Sequence, residues 1–146
     1  MSADKLYSEI FEDFDKCTTK EERLNLLRKH GDKSFITFLQ MAFNPEILFD
    51  KEAFPRNYRP ALEPAGLNYT YLNLEVSKLY RFIKNHPSKA AGLTTEKQRK
   101  LLGVMLEALH ADEARILVNL FEKDLKVKYL TKKLVKEAFP QINLWK

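Results

Sequence analysis

Apolar residues recur at three- and four-residue steps along most of this chain, which is the spacing of one face of an α-helix. The first such stripe predicts a helix from about Lys5 to Asp15. Either Thr18 or Thr19 begins a second helix, because a glutamate follows three residues after each, as in a capping box. This helix ends at His30-Gly31, where we expect the glycine to adopt a left-handed turn.

The next stripe predicts a third helix, which begins at Asp32 or Ser34 and ends at Asn44-Pro45, since a proline restricts the residue before it. Between residues 46 and 68 the helical spacing fails, and three prolines interrupt the segment. We predict a long connection here, and long connections in compact domains often carry function. Its aromatic residues are expected to anchor it to the core: Phe49, Phe54 and Tyr58.

Helical spacing returns at Leu72 and is predicted to continue to His86-Pro87. Either Thr94 or Thr95 caps the helix after it, and Gln98 stands three residues after Thr95, as a capping box requires. Gly103 lies inside this helix, where a glycine costs about 1 kcal/mol relative to alanine. We therefore expect another helix to cross close to it.

Two further helices complete the pattern, one beginning at Asp112 and one running from about Thr131 to Phe139, where Pro140 stops it. No alternating strand pattern and no internal repeat is present, so we predict an all-α protein of about seven helices. Residues on the helical stripes should be buried together. They are Leu6, Ile10, Phe35, Leu39, Leu79, Ile83, Leu102, Met105, Leu117, Leu120, Leu134 and Phe139.

The length of 146 residues suits one domain spanning the whole chain, and a hydrophobic content of 45% is enough to bury a core. No run approaches eighteen apolar residues, and the N-terminus lacks the pattern of a signal peptide. We therefore expect a cytoplasmic protein that does not contact membranes. One cysteine and three dispersed histidines argue against a disulfide or a structural zinc site.

The charge of +5 is distributed unevenly. Residues 1–22 carry seven acids against three lysines, a net of −4, whereas residues 123–146 carry seven lysines against two acids, a net of +5. Clustered positive charge on a folded surface attracts polyanions, of which nucleic acid is the commonest large example in a cell. The alternative is a solvated lysine-rich surface that keeps the protein soluble.

The motifs of common enzymes are absent. Four dispersed glycines form neither a P-loop nor a dinucleotide-binding fingerprint, and no local signature of a nucleophile surrounds Cys17. The nearest approach to a metal-binding cluster is His110-Ala111-Asp112-Glu113, but these acids stand where a helix must start and favour its dipole. We predict a protein that is not an enzyme, has no metal or cofactor and takes no small-molecule substrate.

Two features indicate binding. The last predicted helix places Lys132, Lys133 and Lys136 opposite its apolar side. The long connection over residues 46–68 interleaves Arg56 and Arg59 with aromatic residues. Lysines and arginines of this kind contact phosphates, and exposed aromatics stack on bases. The structural alternative for the connection is that Phe54 and Tyr58 simply pin it to the core.

A resemblance joins these features at the C-terminal end. The segment from Phe121 to Pro140, FEKDLKVKYLTKKLVKEAFP, resembles the end of the helical N-terminal DNA-binding domain of phage-type ATP-dependent DNA ligases. There an Asp-Leu pair, here Asp124-Leu125, closes a helix together with a basic residue, and the final helix ends in a basic, aromatic-proline signature. The chain also resembles a family of small proteins of T4-like tailed phages, over Leu26 to Gln40 and over LTKKLVKEAFP.

The chain departs from the ligase pattern at several points. Ligases place a glycine soon after the Asp-Leu pair, where this chain has Val127 and Lys128, and the chain has no Lys-x-Asp-Gly nucleotidyl-transfer motif. It therefore cannot seal nicks by itself. The resemblance implies a free-standing relative of the module with which a ligase grips duplex DNA through the backbone.

These observations predict a non-catalytic phage accessory protein that binds duplex DNA in the infected bacterial cell. The expected phosphate contacts are Lys126, Lys128, Lys132, Lys133, Lys136, Arg56 and Arg59. The alternative is an interaction module that binds and modulates a host or phage enzyme. Its contact surface would be the acidic residues 1–22 or the connection over residues 46–68.

Overall fold

The computed structural model describes residues 6–55, 58–59, 61–64, 67–84 and 93–140. Within these ranges the fold is all-α, as predicted, and β pairing is limited to two isolated bridges. The α-helices are α1 (Tyr7–Asp15), α2 (Lys20–Lys29), α3 (Lys33–Phe43), α4 (Leu72–Glu75), α5 (Thr95–Ala108), α6 (Ala111–Phe121) and α7 (Lys132–Ala138). Two 3-10 helices span Lys51–Ala53 and Val76–Phe82.

Side-chain oxygens at the N-caps fix where four of these helices begin. Each accepts a hydrogen bond from the backbone N–H three residues further on, which satisfies a donor that the helix leaves without a partner. Where the sequence leaves two candidates, the structure selects Thr19, Asp32 and Thr94. The fourth cap is Thr131, which begins α7 as predicted.

Gln98 does not take part in a capping box, so that prediction is wrong. Its side chain is buried at 3% exposure, and its amide donates to Asp50 Oδ2 at 2.9 Å and to the Arg81 carbonyl at 2.8 Å. A buried amide needs hydrogen-bond partners, and here it finds one in each of two segments. Gln98 thereby ties the long connection to the residues that precede α5.

Both glycine predictions are also wrong. Gly31 does not adopt a left-handed φ; instead, a Cβ at this position would lie 2.5 Å from Cε1 of Phe139, so the aromatic ring takes the space of a side chain. Gly103 has no heavy atom within 4 Å of a built Cβ. No helix crosses close to it in the part of the chain that the structure describes.

The helix predicted from Leu72 to His86-Pro87 is shorter and changes type. It is α-helical over four residues, continues as a 3-10 helix and ends at Phe82, while His86-Pro87 lies outside the described residues. Ile83 is extended and forms a bridge with Phe49. Hydrogen bonds to the long connection replace helical ones here, from the Asp50 N–H to the Phe82 carbonyl and from the Lys84 N–H to the Leu48 carbonyl.

One hydrophobic core joins the elements, and all twelve residues predicted to be buried are buried. Helix α6 packs against α1, α4 and α5. At its C-terminal end Phe121 stacks on Phe49 at 4.7 Å between ring centroids and meets Phe54 edge-on at 5.2 Å. Tyr58 is partly buried against the same core. The aromatic residues of the connection are therefore anchors, which is the structural alternative stated for Phe54 and Tyr58.

None of the helices in the described ranges has the length and apolar character needed to cross a membrane.

Candidate nucleic-acid interface

Helix α7 separates its charged and apolar residues as the sequence predicts. Lys132, Lys133 and Lys136 are exposed. Leu134 and Val135 are buried in the core, followed by Ala138 and Phe139. Residues i, i+1 and i+4 share a face of a helix, so the lysines lie opposite the apolar contacts.

Contacts with α2 hold this helix in place. Arg28 donates from Nε to the Ala138 carbonyl at 3.3 Å and from its guanidinium to the Glu137 carbonyl at 3.1 Å, which satisfies carbonyls at the C-terminal end of α7. Lys20 forms an ion pair with Glu137 at 2.7 Å. This hydrogen-bonded lysine holds the pKa of Glu137 below its usual range. Glu137 is the only acid in α7, and the nearby charges of Lys133 and Arg28 also lower its pKa.

The loop between α6 and α7 contains three non-glycine residues with positive φ: Lys123, Lys126 and Tyr129. The first closes α6 in a Schellman motif, in which the Lys123 N–H bonds the Leu120 carbonyl and the Asp124 N–H bonds the Asn119 carbonyl. Lys126 and Lys128 are exposed. Lys126 Nζ forms an ion pair with Glu122 Oε1 at 3.8 Å. We call the five exposed lysines of residues 126–136 the lysine surface: Lys126, Lys128, Lys132, Lys133 and Lys136.

Lys123 belongs to the basic C-terminal stretch but has a structural task. Its ammonium donates to the carbonyls of Met41 and Asn44, the latter at 2.9 Å, and so caps the C-terminal end of α3. Burial lowers the pKa of Lys123 to about 8. The local charge counted from the sequence therefore overstates the charge presented to a ligand.

A cavity of about 340 Å³ lies beside this loop. Lys126 and Lys128 line it together with Asp124, and Ala42 and Phe43 at the end of α3 complete its wall. Two of the lysines predicted to contact phosphate thus border a concave site, whereas the three lysines of α7 lie on a convex helix.

Two residues that sequence reasoning did not select stand beside the lysine surface. The Arg23 guanidinium lies 4.1 Å from the centroid of the Tyr129 ring, and the Lys128 ammonium lies 5.1 Å from it. Arg23 belongs to α2, which is distant from the basic loop in the sequence, so only the fold brings the two together. Tyr129 offered a signal in the sequence, because an aromatic residue stands directly after a lysine in a basic stretch.

The two predicted arginines belong to the long connection over residues 46–68. Arg56 lies outside the described residues. Arg59 is exposed, but its backbone N–H bonds Glu107 Oε2 at 3.0 Å, near the N-terminal end of α6. The lysine surface follows the C-terminal end of the same helix, and an α-helix of 11 residues is about 16 Å long. Arg59 therefore stands at the far end of α6 from the lysines.

The groups considered for catalysis or metal binding have other contacts. His110 caps α6, accepting the Asp112 N–H at Nδ1. Glu113 is buried and accepts the N–H groups of Tyr7 at 2.9 Å and Leu72 at 3.0 Å. Over the described ranges no group of three histidine, cysteine or acidic side chains is arranged to hold a metal ion. Desolvation, followed by the carboxylate of Glu22, raises the pKa of the Cys17 thiol, which disfavours the nucleophilic thiolate.

Comparison with known proteins gives one match. Residues 10–127 fit a family of unknown function, DUF6433. The chain belongs to this family. No curated protein and no solved structure matches it.

The DUF6433 match spans α2 to α6 and most of α1, together with the capping residues Thr19, Asp32 and Thr94 and the Phe121 cluster. It ends at Val127, so four of the five residues of the lysine surface lie beyond it. Arg23 lies inside the matched range, and Tyr129 lies outside it.

Proposed function

We propose that this protein binds duplex DNA, largely through backbone phosphates, as a non-catalytic phage accessory protein. The lysine surface carries this proposal: five exposed lysines fall within 11 consecutive residues, on a docked helix and the loop before it. The resemblance to the DNA-binding domain of phage-type ligases falls on the same segment. This resemblance to phage proteins supports the proposal that the protein acts in the cytoplasm of the infected bacterium.

The kind of contact follows from the kind of residue. Lysine ammonium groups are point charges on flexible stems, so they suit phosphate oxygens better than the fixed donor and acceptor pattern of base edges. Phosphate contacts position a protein on DNA and carry no sequence information. We therefore expect the affinity for DNA to depend steeply on salt concentration and little on DNA sequence.

Fluorescence anisotropy of the full chain with labelled duplexes tests the proposal. Two unrelated duplex sequences of equal length should give similar affinities, and both affinities should fall steeply as salt rises. Nicked and single-stranded oligonucleotides of the same length show which form is preferred. A protein that binds none of these at low salt does not have the proposed function.

The alternative, a module that binds a host or phage protein, also has an observation in its favour. The connection over residues 46–68 exposes the apolar side chains of Leu48, Leu62 and Leu67, and α5 exposes Val104 at 71%. A contiguous patch of such side chains would mark a protein contact. This function is supported if Leu62→Lys abolishes binding of one purified partner protein and leaves the affinity for duplex DNA unchanged.

A further inference from the structure

Tyr129 is an exposed aromatic residue with an uncommon backbone conformation. Its side chain is 55% exposed, and it does not belong to the hydrophobic core. Its φ is 69°, in the left-handed region that bulky side chains rarely adopt. Residues held in such conformations persist only where the surrounding structure imposes them, and they cluster at functional sites.

The ring is held by a cation from another element. Arg23 lies at 4.1 Å from the ring centroid, and its guanidinium also donates to the Cys17 carbonyl at 3.3 Å, so α2 fixes its position. Lys128 approaches the ring at 5.1 Å. Neither Arg23 nor Lys128 has a carboxylate within 4.0 Å among the residues that the structure describes. An exposed aromatic ring thus lies close to two cations, neither of which is ion-paired within the described residues.

The place of the ring in the chain connects it with the proposed DNA contacts. Tyr129 lies between the two parts of the lysine surface, after Lys126 and Lys128 and before the lysines of α7. A positively charged surface that follows the backbone, combined with an aromatic side chain on which a base stacks, is how proteins hold unpaired nucleotides. Arginine beside the ring adds to this affinity.

We propose that Tyr129 stacks on an unpaired nucleobase, at a gap, bulge or end of the duplex that the lysine surface holds. The inference rests on the proposed function. In fully paired DNA the faces of the bases are already stacked on their neighbours, so Tyr129 contributes little there. Its effect is a preference for DNA that contains an unpaired base.

The test compares two duplexes that differ by one unpaired adenine, each titrated with the full chain by fluorescence anisotropy. We expect the bulged duplex to bind about tenfold tighter, the range that one stacked base supplies. Tyr129→Leu should remove this preference and leave the affinity for the paired duplex unchanged, whereas Tyr129→Phe should keep it. Tyr69→Leu is the matched control, because Tyr69 is an exposed tyrosine outside the lysine surface.

A second readout does not depend on any variant. With 2-aminopurine as the unpaired base, stacking on Tyr129 quenches its fluorescence when wild-type protein binds. Equal affinities for the two duplexes, or a preference that survives Tyr129→Leu, would overturn the proposal while leaving the phosphate contacts in place. Absence of binding to both duplexes would instead remove the proposed function, and the stacking site with it.

Discussion

Gly31 and Gly103 lie in two different surroundings in this chain. At Gly31 the missing side chain makes room for the Phe139 ring, which brings the end of α7 onto the end of α2. At Gly103 the missing side chain faces open space within α5. The sequence could not separate these cases, because the space around a residue depends on which distant side chain approaches it.

Gly31→Ala should destabilise the protein by about 1–3 kcal/mol, since the new methyl group overlaps the ring and forces α7 to shift. Gly103→Ala is the matched control and should stabilise the protein by about 1 kcal/mol, because alanine favours a helix interior over glycine. Urea unfolding of both variants gives the two free energies. Equal stabilities would show that α7 does not dock over Gly31 as described.

Glu113 is the other residue whose role emerges only in the fold. It is 1% exposed and accepts the N–H groups of Tyr7 and Leu72, the first residues of α1 and α4. Desolvation raises its pKa above the ordinary value, and this effect exceeds the opposite effect of the two N–H groups. One carboxylate thus caps two helices at the cost of being buried.

Glu113→Gln provides a pH test. The folded state holds the proton of Glu113 to a higher pH than the unfolded chain does, so the contribution of this group to stability falls as the pH rises above the ordinary carboxyl pKa of 4.5. The difference in unfolding free energy between wild type and Glu113→Gln should therefore shrink between about pH 4 and the raised pKa. A difference that grows with pH over this range would contradict the assignment.

At the level of elements, the loop after α6 connects three helices. Lys123 closes α6 through its backbone and caps α3 through its side chain, and the residues that follow lead directly into α7. The orientation of the lysine surface therefore depends on this half-buried lysine.

Lys123→Met should destabilise the protein by about 1–3 kcal/mol, because the carbonyls of Met41 and Asn44 lose their donor. Lys126→Met is the matched control, since Lys126 has the same φ of 59° but an exposed side chain. The expected change for the control is within about 0.5 kcal/mol.

The pH dependence of Lys123→Met provides a second check. The folded protein releases the proton of Lys123 at about pH 8, and the unfolded chain releases it near 10.5. The unfolded state binds more protons between these values, so the contribution of Lys123 to stability rises with pH. The unfolding free energy of wild type relative to that of Lys123→Met should therefore increase from pH 8 to 10.

The elements themselves were largely predictable, because their causes are local. Threonine and aspartate caps and apolar stripes of helical spacing place α1, α2, α3, α5 and α7 within a few residues. The segment after Leu72 was predicted less well, since its backbone bonds the long connection instead of completing a helix. Gln98 was misassigned for the same reason, because its partners are distant in the chain.

For the whole molecule, the sequence shows where positive charge accumulates but not which charges face outward. The Lys123 ammonium bonds backbone carbonyls at the end of α3, and Glu137 is paired with Lys20. Arg59 lies at the far end of α6. Arg23 joins the surface from α2, which is distant from it in the sequence. Each of these four outcomes depends on long-range packing, whereas the separation of lysines and apolar residues on α7 follows from helical geometry alone.

The salt dependence of duplex binding by two triple variants tests the central claim most directly. Lys132, Lys133 and Lys136 are changed to glutamine in one variant, and Lys78, Lys97 and Lys100, exposed residues before or within α5, are changed to glutamine in the other. The two variants have the same net charge, and both should unfold at about the same temperature as wild type. We predict that the α7 variant flattens the slope of log affinity against log salt by about 2.7, at about 0.9 for each lost phosphate contact, while the control variant keeps the wild-type slope. Equal slopes for wild type and the α7 variant would show that α7 does not contact DNA.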